Sequence, residues 1–178
     1  MTFLRRNGFW LVLAAGLAFG IKYHCSRAEA GQLKWILAPT TRLVEALSGD
    51  DFIWKTHAGY FSQERRFLIA PSCAGINFLI MAFAMSVWFT LPRLSSHRRR
   101  FLAVFLALAG AYGLAILINA LRICLSLYTK GYQAPLGLDP SEVHRLVGIV
   151  VYFSSLMVLY MLLQCVFPEK GAVREARI

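Results

Sequence analysis

The sequence predicts an all-α integral membrane protein: a four-helix transmembrane bundle with an amphipathic helix and a short hairpin on its outer side. Three observations predict it. Hydrophobic residues make up 58% of the 178 residues and charged ones only 16%, too apolar a balance for a soluble domain of this size. Four apolar runs, at about 9–23, 74–91, 101–122 and 144–167, approach the roughly 20 residues, at 1.5 Å rise each, that cross a hydrocarbon core of about 30 Å. Basic residues cluster in the short segments beside those runs. With no internal repeat or low-complexity stretch, the whole chain, 1–178, reads as one domain.

The charge pattern orients the bundle. Arg5 and Arg6 precede the first run, and "PRLSSHRRR" between the second and third holds four arginines and no acid, so both belong on the cytoplasmic side. Residues 24–73 and 129–143 then face outward, and the tail "PEKGAVREARI" returns inside. The net charge of +10 is in this reading a topology signal. The arginines do not interleave with aromatic residues on a soluble face, which argues against nucleic acid as a partner. Arg5, Arg6, an apolar run and "AEAG" at Ala28–Gly31 also resemble a secretory signal with a small-residue cleavage site. Lys22, His24 and Arg27 crowd that cut, and the run is read as a retained span.

The first span holds Gly16 and Gly20 at GxxxG spacing, a packing face that would permit a homodimer. Beyond it, "PTTRLVEALSG" suits a helix on the outer membrane surface, with Pro39 in its first turn and Gly49 as its stop. Trp35 and Trp54 fit interfacial anchors. From Phe52 to Ile69 aromatic and β-branched residues alternate with turn signals at Gly59 and "SQERR", predicting a short hairpin that leads into Cys73. The second span carries no charge and closes at Pro92; the fourth stops before Pro168. The third stays apolar to Tyr128 and carries an alanine stripe, Ala103, Ala107, Ala111 and Ala115, that continues at the same four-residue step to Asn119, with Arg122 one turn beyond. This stripe points Asn119 and Arg122 toward the bundle.

Depth brings three polar residues together. Cys73 precedes the second span at its outer end, and His144 opens the fourth. Arg122 lies 21 residues after Phe101, hence about 32 Å above the cytoplasmic start of its helix. Charged residues within spans are costly and usually face a partner or a cavity. Such a set permits acyl transfer at a peptide bond. A thiolate at Cys73 attacks, an imidazole at His144 acts as general acid and base, and the permanently charged Arg122 stabilises thiolate or oxyanion. Asn119 would position Arg122, and the helix start after Cys73 adds a positive dipole end. Asp139 and Glu142 are near enough in sequence to orient the imidazole. His57 is the rival base, His24 a weaker one, and His97 lies on the wrong side. A disulfide from Cys124 to Cys73 or to Cys25 is open on this side of the membrane, and one through Cys73 would abolish the nucleophile. No Cys and His spacing resembles a closed zinc site, and the proposed chemistry needs neither metal nor cofactor.

"PSCAGINFL" around Cys73, "NALRI" at Asn119–Ile123 and "HRLVG" at His144–Gly148 together resemble the exosortase and archaeosortase family of membrane cysteine transpeptidases, in motif order and spacing, over about residues 33–167. The resemblance implies a catalytic Cys73, Arg122 and His144. It also implies partners that are membrane-anchored proteins with a C-terminal sorting signal of the PEP-CTERM kind: a Pro-Glu-Pro-like motif, a span and a basic tail. Such systems often sit beside exopolysaccharide genes in bacteria, so the resemblance implies the bacterial inner membrane, and the charge pattern puts both termini on its cytoplasmic side. The chain is short for the family and is similar to its small exosortase K type, and Ala74 stands where Ser is more usual. A substrate helix could dock on the alanine stripe or on the Gly16 face. Two rivals stand beside this expectation: a non-enzymatic membrane subunit of polysaccharide or envelope export, and an acyltransferase that uses the same thiol on lipid.

Overall fold

A computed structural model describes residues 2–129 and 140–167; most of the connection at 129–143, with Asp139, and the tail after Phe167 lie outside the described residues. In chain order it contains α1 (Thr2–Ser26), α2 (Lys34–Ser48), β1 (Ile53–Lys55), β2 (Gly59–Ser62), β3 (Phe67–Ile69), α3 (Ile76–Thr90), α4 (His97–Thr129) and α5 (Pro140–Val166). The protein is an all-α membrane bundle with a minor sheet. Four segments are long and apolar enough to span a bilayer: Asn7–Ser26, Pro71–Arg93, His97–Thr129 and Arg145–Val166. Each contains or closely matches a predicted run. At 33 residues α4 is about 50 Å long, so it outreaches a hydrocarbon core of about 30 Å.

The span without charge is the central one. Helix α3 packs against α1, α4 and α5, and Phe78, Leu79, Ala82, Phe83 and Val87 are buried among them. A charge on that surface would be desolvated without a partner, which accounts for the run's composition. Outer helices α4 and α5 leave Phe101, Phe105, Ile149 and Phe153 exposed, as residues that face lipid should be.

Three local expectations change. Ala111 and Ala115 are buried in the core, so that end of the alanine stripe is covered by the protein's own helices, while Ala103 and Ala107 are only half-buried. Gly16 and Gly20 remain open, since a Cβ at either would meet nothing within 4 Å. Helix α2 begins at Lys34, not at Pro39, and Pro39 sits inside it. Proline lacks the N–H that would bond the Trp35 carbonyl four residues back, and the Tyr112 hydroxyl of α4 donates to that carbonyl instead, at 2.7 Å. The Trp35 and Tyr112 rings stack with centroids 5.6 Å apart, and the buried Ile36, Leu37 and Val44 complete the contact surface of α2. A tertiary hydroxyl therefore lets the helix run through its proline.

Both turns anticipated between Phe52 and Ile69 form, so the segment is a three-stranded antiparallel meander, not a two-stranded hairpin. Trp54 faces Tyr60, and Tyr60 faces Ile69. Gly59 has φ +119°, and a Cβ there would run into the Ile69 carbonyl oxygen, so the position requires glycine. Arg65 Nε donates to Asp50 at 2.8 Å, tying the meander to the end of α2; that bond and the carboxylate's charge raise the guanidinium pKa above its ordinary value. Strand β3 then delivers the chain into the 3-10 turn Pro71–Cys73.

Candidate active site

Cys73 ends that 3-10 turn, its N–H bonded to the Ala70 carbonyl at 2.8 Å. Ala74 follows, and Gly75 starts α3 from the left-handed region, φ 71°. This αL residue redirects the chain from the turn into the helix, at little cost only for glycine. A Cβ at Gly75 would also press on the Asn119 side chain at 3.2 and 3.3 Å and on the Tyr152 hydroxyl at 3.4 Å. No side chain caps the first turn of α3, so its N–H groups present a positive dipole end beside Cys73.

Asn119, 1% exposed, donates from Nδ2 to the Cys73 carbonyl oxygen. Its Oδ1 accepts from the Tyr152 hydroxyl at 2.8 Å, and that hydroxyl accepts from Arg122 Nη1 at 3.1 Å. The Arg122 guanidinium also lies over the Tyr152 ring, 5.3 Å from its centroid, and Phe78 packs on the ring at 5.3 Å. Asn119 thus reaches Cys73 directly and Arg122 through Tyr152. Gly148 opens the space for Arg122, since a Cβ there would come within 2.8 Å of the guanidinium Nε. Glycine in "HRLVG" leaves Arg122 room to lie against the backbone of α5.

Beside this network opens a cavity of about 530 Å³, lined by Ser72, Gly75, Arg122, Gly148 and Tyr152, and on the α1 side by Lys22 and Cys25. Arg145 is on its wall as well, so three cations surround it, and no carboxylate does among the described residues. Lys22 Nζ donates to Asn77 Oδ1 at 2.5 Å, linking α1 to the first turn of α3. Cys73, 7% exposed, is not itself on the wall, although Ser72 and Gly75 on either side of it are.

The structure bonds Asn119 to Cys73 and connects Arg122 to them through Tyr152. His144 lies in the second turn of α5, and four-residue steps place it on one face with Gly148 and Tyr152. Its side chain is outside the described residues. His57, the rival base, sits in the β1–β2 turn, 78% exposed, with Nδ1 3.1 Å from Glu29, and is not on the cavity wall. His97 packs near Trp10 at the opposite end of the bundle. All four cysteines are free thiols, so neither Cys124 disulfide forms. Sequence reasoning missed Tyr152, and it passed over Lys22, Cys25 and Arg145 as wall residues. The four-residue step from His144 through Gly148 to Tyr152 was the available signal.

Residues 56–161, more than half of the chain, match the family model of transmembrane exosortases. Cys73, Asn119, Arg122, His144 and Tyr152 all fall within the matched stretch. No curated protein and no solved structure matches the chain.

Proposed function

The chain belongs to the transmembrane exosortase family, and from that premise we propose that it is a membrane cysteine protease or transpeptidase that cleaves C-terminal sorting signals outside the bacterial inner membrane. The observation that carries the proposal is the hydrogen-bonded connection of Cys73, Asn119, Tyr152 and Arg122 beside a cation-lined cavity. Arg93, Arg98, Arg99 and Arg100 at the far end of the bundle favour a cytoplasmic position there, which turns Cys73, the cavity and the sheet outward. Both termini are then cytoplasmic, and the open Gly16 and Gly20 face is a surface for a second copy.

In the proposed reaction the substrate's span lies in the bilayer and its pre-membrane peptide enters the cavity. The Cys73 thiolate attacks the scissile carbonyl carbon, forming a C–S bond, and the oxyanion is stabilised by Arg122 and by the dipole end of α3. His144 takes the thiol proton and returns it to the leaving amine as the C–N bond breaks. Water or an acceptor amine then attacks the thioester and releases the thiol. Lys22, Arg122 and Arg145 around the cavity suit an acidic residue such as the Glu of a Pro-Glu-Pro-like motif, and a PEP-CTERM-type signal supplies one.

Co-expression with a protein ending in such a motif, a span and a basic tail tests this reading by the substrate's size on a gel. Cleavage should vanish in Cys73→Ala and persist in Cys25→Ala, with membrane levels unchanged. Cleavage that survives Cys73→Ala but not Cys25→Ala would move the nucleophile to the thiol on the cavity wall; survival in both would end the cysteine mechanism.

A further inference from the structure

Every donor in the chain of bonds at the site points the same way. Arg122 donates to the Tyr152 oxygen, Tyr152 donates to Asn119 Oδ1, and Asn119 Nδ2 donates to the carbonyl of Cys73. The relay starts at a permanent positive charge and ends on the backbone of the candidate nucleophile. Bonds aligned in this way polarise one another, and the charged end strengthens its neighbour. Tyr152 is the only member that touches both sides, and its oxygen uses its donor and one acceptor position there.

Its hydroxyl also holds the far end of the Asn119 carboxamide. A carboxamide has an acceptor end and a donor end, and only one orientation serves both neighbours. With the tyrosine O–H directed at Oδ1, the amide N–H₂ must face Cys73. The Cys73 carbonyl, which can only accept, already turns the N–H₂ end toward itself; without the tyrosine O–H the buried amide loses the donor that holds its Oδ1. The site is also shaped around the relay: both Gly75 and Gly148 lack the Cβ that would strike it, one at Asn119 and the Tyr152 hydroxyl, the other at Arg122. Phe78 holds the Tyr152 ring independently of the hydroxyl, so ring and oxygen can be separated by mutation.

We propose that Tyr152 is the positioning residue of the site: its hydroxyl fixes Asn119 and Arg122 at once, so that the Cys73 turn and the guanidinium hold a single mutual geometry. This rests on the cysteine mechanism for its catalytic consequence, but not for its structural one. Tyr152→Phe keeps the ring and removes one oxygen. In the cleavage assay it should lower kcat about 10- to 100-fold, the range a small misplacement of reacting groups produces, with KM within about twofold. Combined with Asn119→Ala the loss should be well below the product of the two single losses, because both cut one relay.

A second readout needs no substrate. Cys73–Ala74 is the sole Cys–Ala pair in the sequence, so labelling with carbonyl-¹³C cysteine and ¹⁵N alanine gives one amide-correlated NMR signal for the Cys73 carbonyl in the full-length protein. Tyr152→Phe and Asn119→Ala should both move that carbonyl resonance, in the same direction, as the bond from Asn119 weakens. A carbonyl unmoved by Tyr152→Phe overturns the proposal, whether or not the protein cleaves anything. A moved carbonyl with multiplicative kinetic losses also overturns it, since Tyr152 would then act apart from Asn119. Should Cys73→Ala still cleave while the carbonyl moves, the cysteine mechanism fails and the relay stands as architecture.

Discussion

Two arginines of α4, one near each end, are handled differently. Arg100, 2% exposed, turns Nε and Nη2 onto the Leu94 carbonyl, at 2.9 and 2.8 Å, and so clamps the chain just before its own helix begins. Arg122 is partly buried, bonds a tyrosine hydroxyl, lies over its ring and lines a cavity of about 530 Å³. The first guanidinium closes a backbone corner. The second is held by side chains at the edge of open volume, where a ligand's charge can reach it. Charge near a membrane therefore does not by itself mark a site; what surrounds it does.

Mutation can break that contrast. Arg122→Ala should have the largest effect, lowering cleavage about 10²- to 10³-fold, the cost of losing one donor to a developing oxyanion, with little change in membrane level. Equal losses in level and in cleavage would make Arg122 a structural residue like Arg100. Gly148→Ala should displace the guanidinium, because the new Cβ would lie 2.8 Å from its Nε. The end of a long side chain can give way, and alanine is the better helix former by about 1 kcal/mol. Cleavage should thus drop about tenfold while thermal stability in detergent holds or rises; normal cleavage would mean Arg122 is not needed where it stands.

Arg100→Ala should do the reverse. It removes a charged donor from a part-buried carbonyl, a cost of about 1.5–3 kcal/mol that appears as a lower melting temperature with unchanged turnover per folded molecule. A turnover defect in that variant would couple the two ends of α4. The smallest effect belongs to Tyr112→Phe, which deprives the Trp35 carbonyl of its substitute donor beside Pro39. A destabilisation of about 1 kcal/mol is expected, and Pro39→Ala in the same protein should recover part of it by restoring the N–H.

Run length and charge made the four spans legible, because crossing lipid constrains length and polarity within narrow limits. Depth along a helix of fixed rise made the meeting of Cys73 with Arg122 legible, and the four-residue step put Asn119 on the inward face. Other features depend on partners that no local pattern names. Pro39 looked like a helix start because the hydroxyl that lets α2 run through it is on Tyr112, 73 residues later. Ala111 and Ala115 looked available for a substrate because small residues look alike whether a neighbouring helix is the protein's own or another's. Tyr152 was passed over because its one signal, the four-residue step from His144 through Gly148, names no role; that role comes from Asn119 and Arg122 on a different helix.

The most direct test of the central claim is mass spectrometry of the Cys73 peptide, taken from the protein quenched during turnover with a membrane-anchored substrate. A nucleophilic Cys73 predicts a thioester at that residue whose added mass equals the part of the substrate upstream of the cut, absent from Cys73→Ala. An adduct on Cys25 instead, or continued cleavage with no adduct at Cys73, would contradict it.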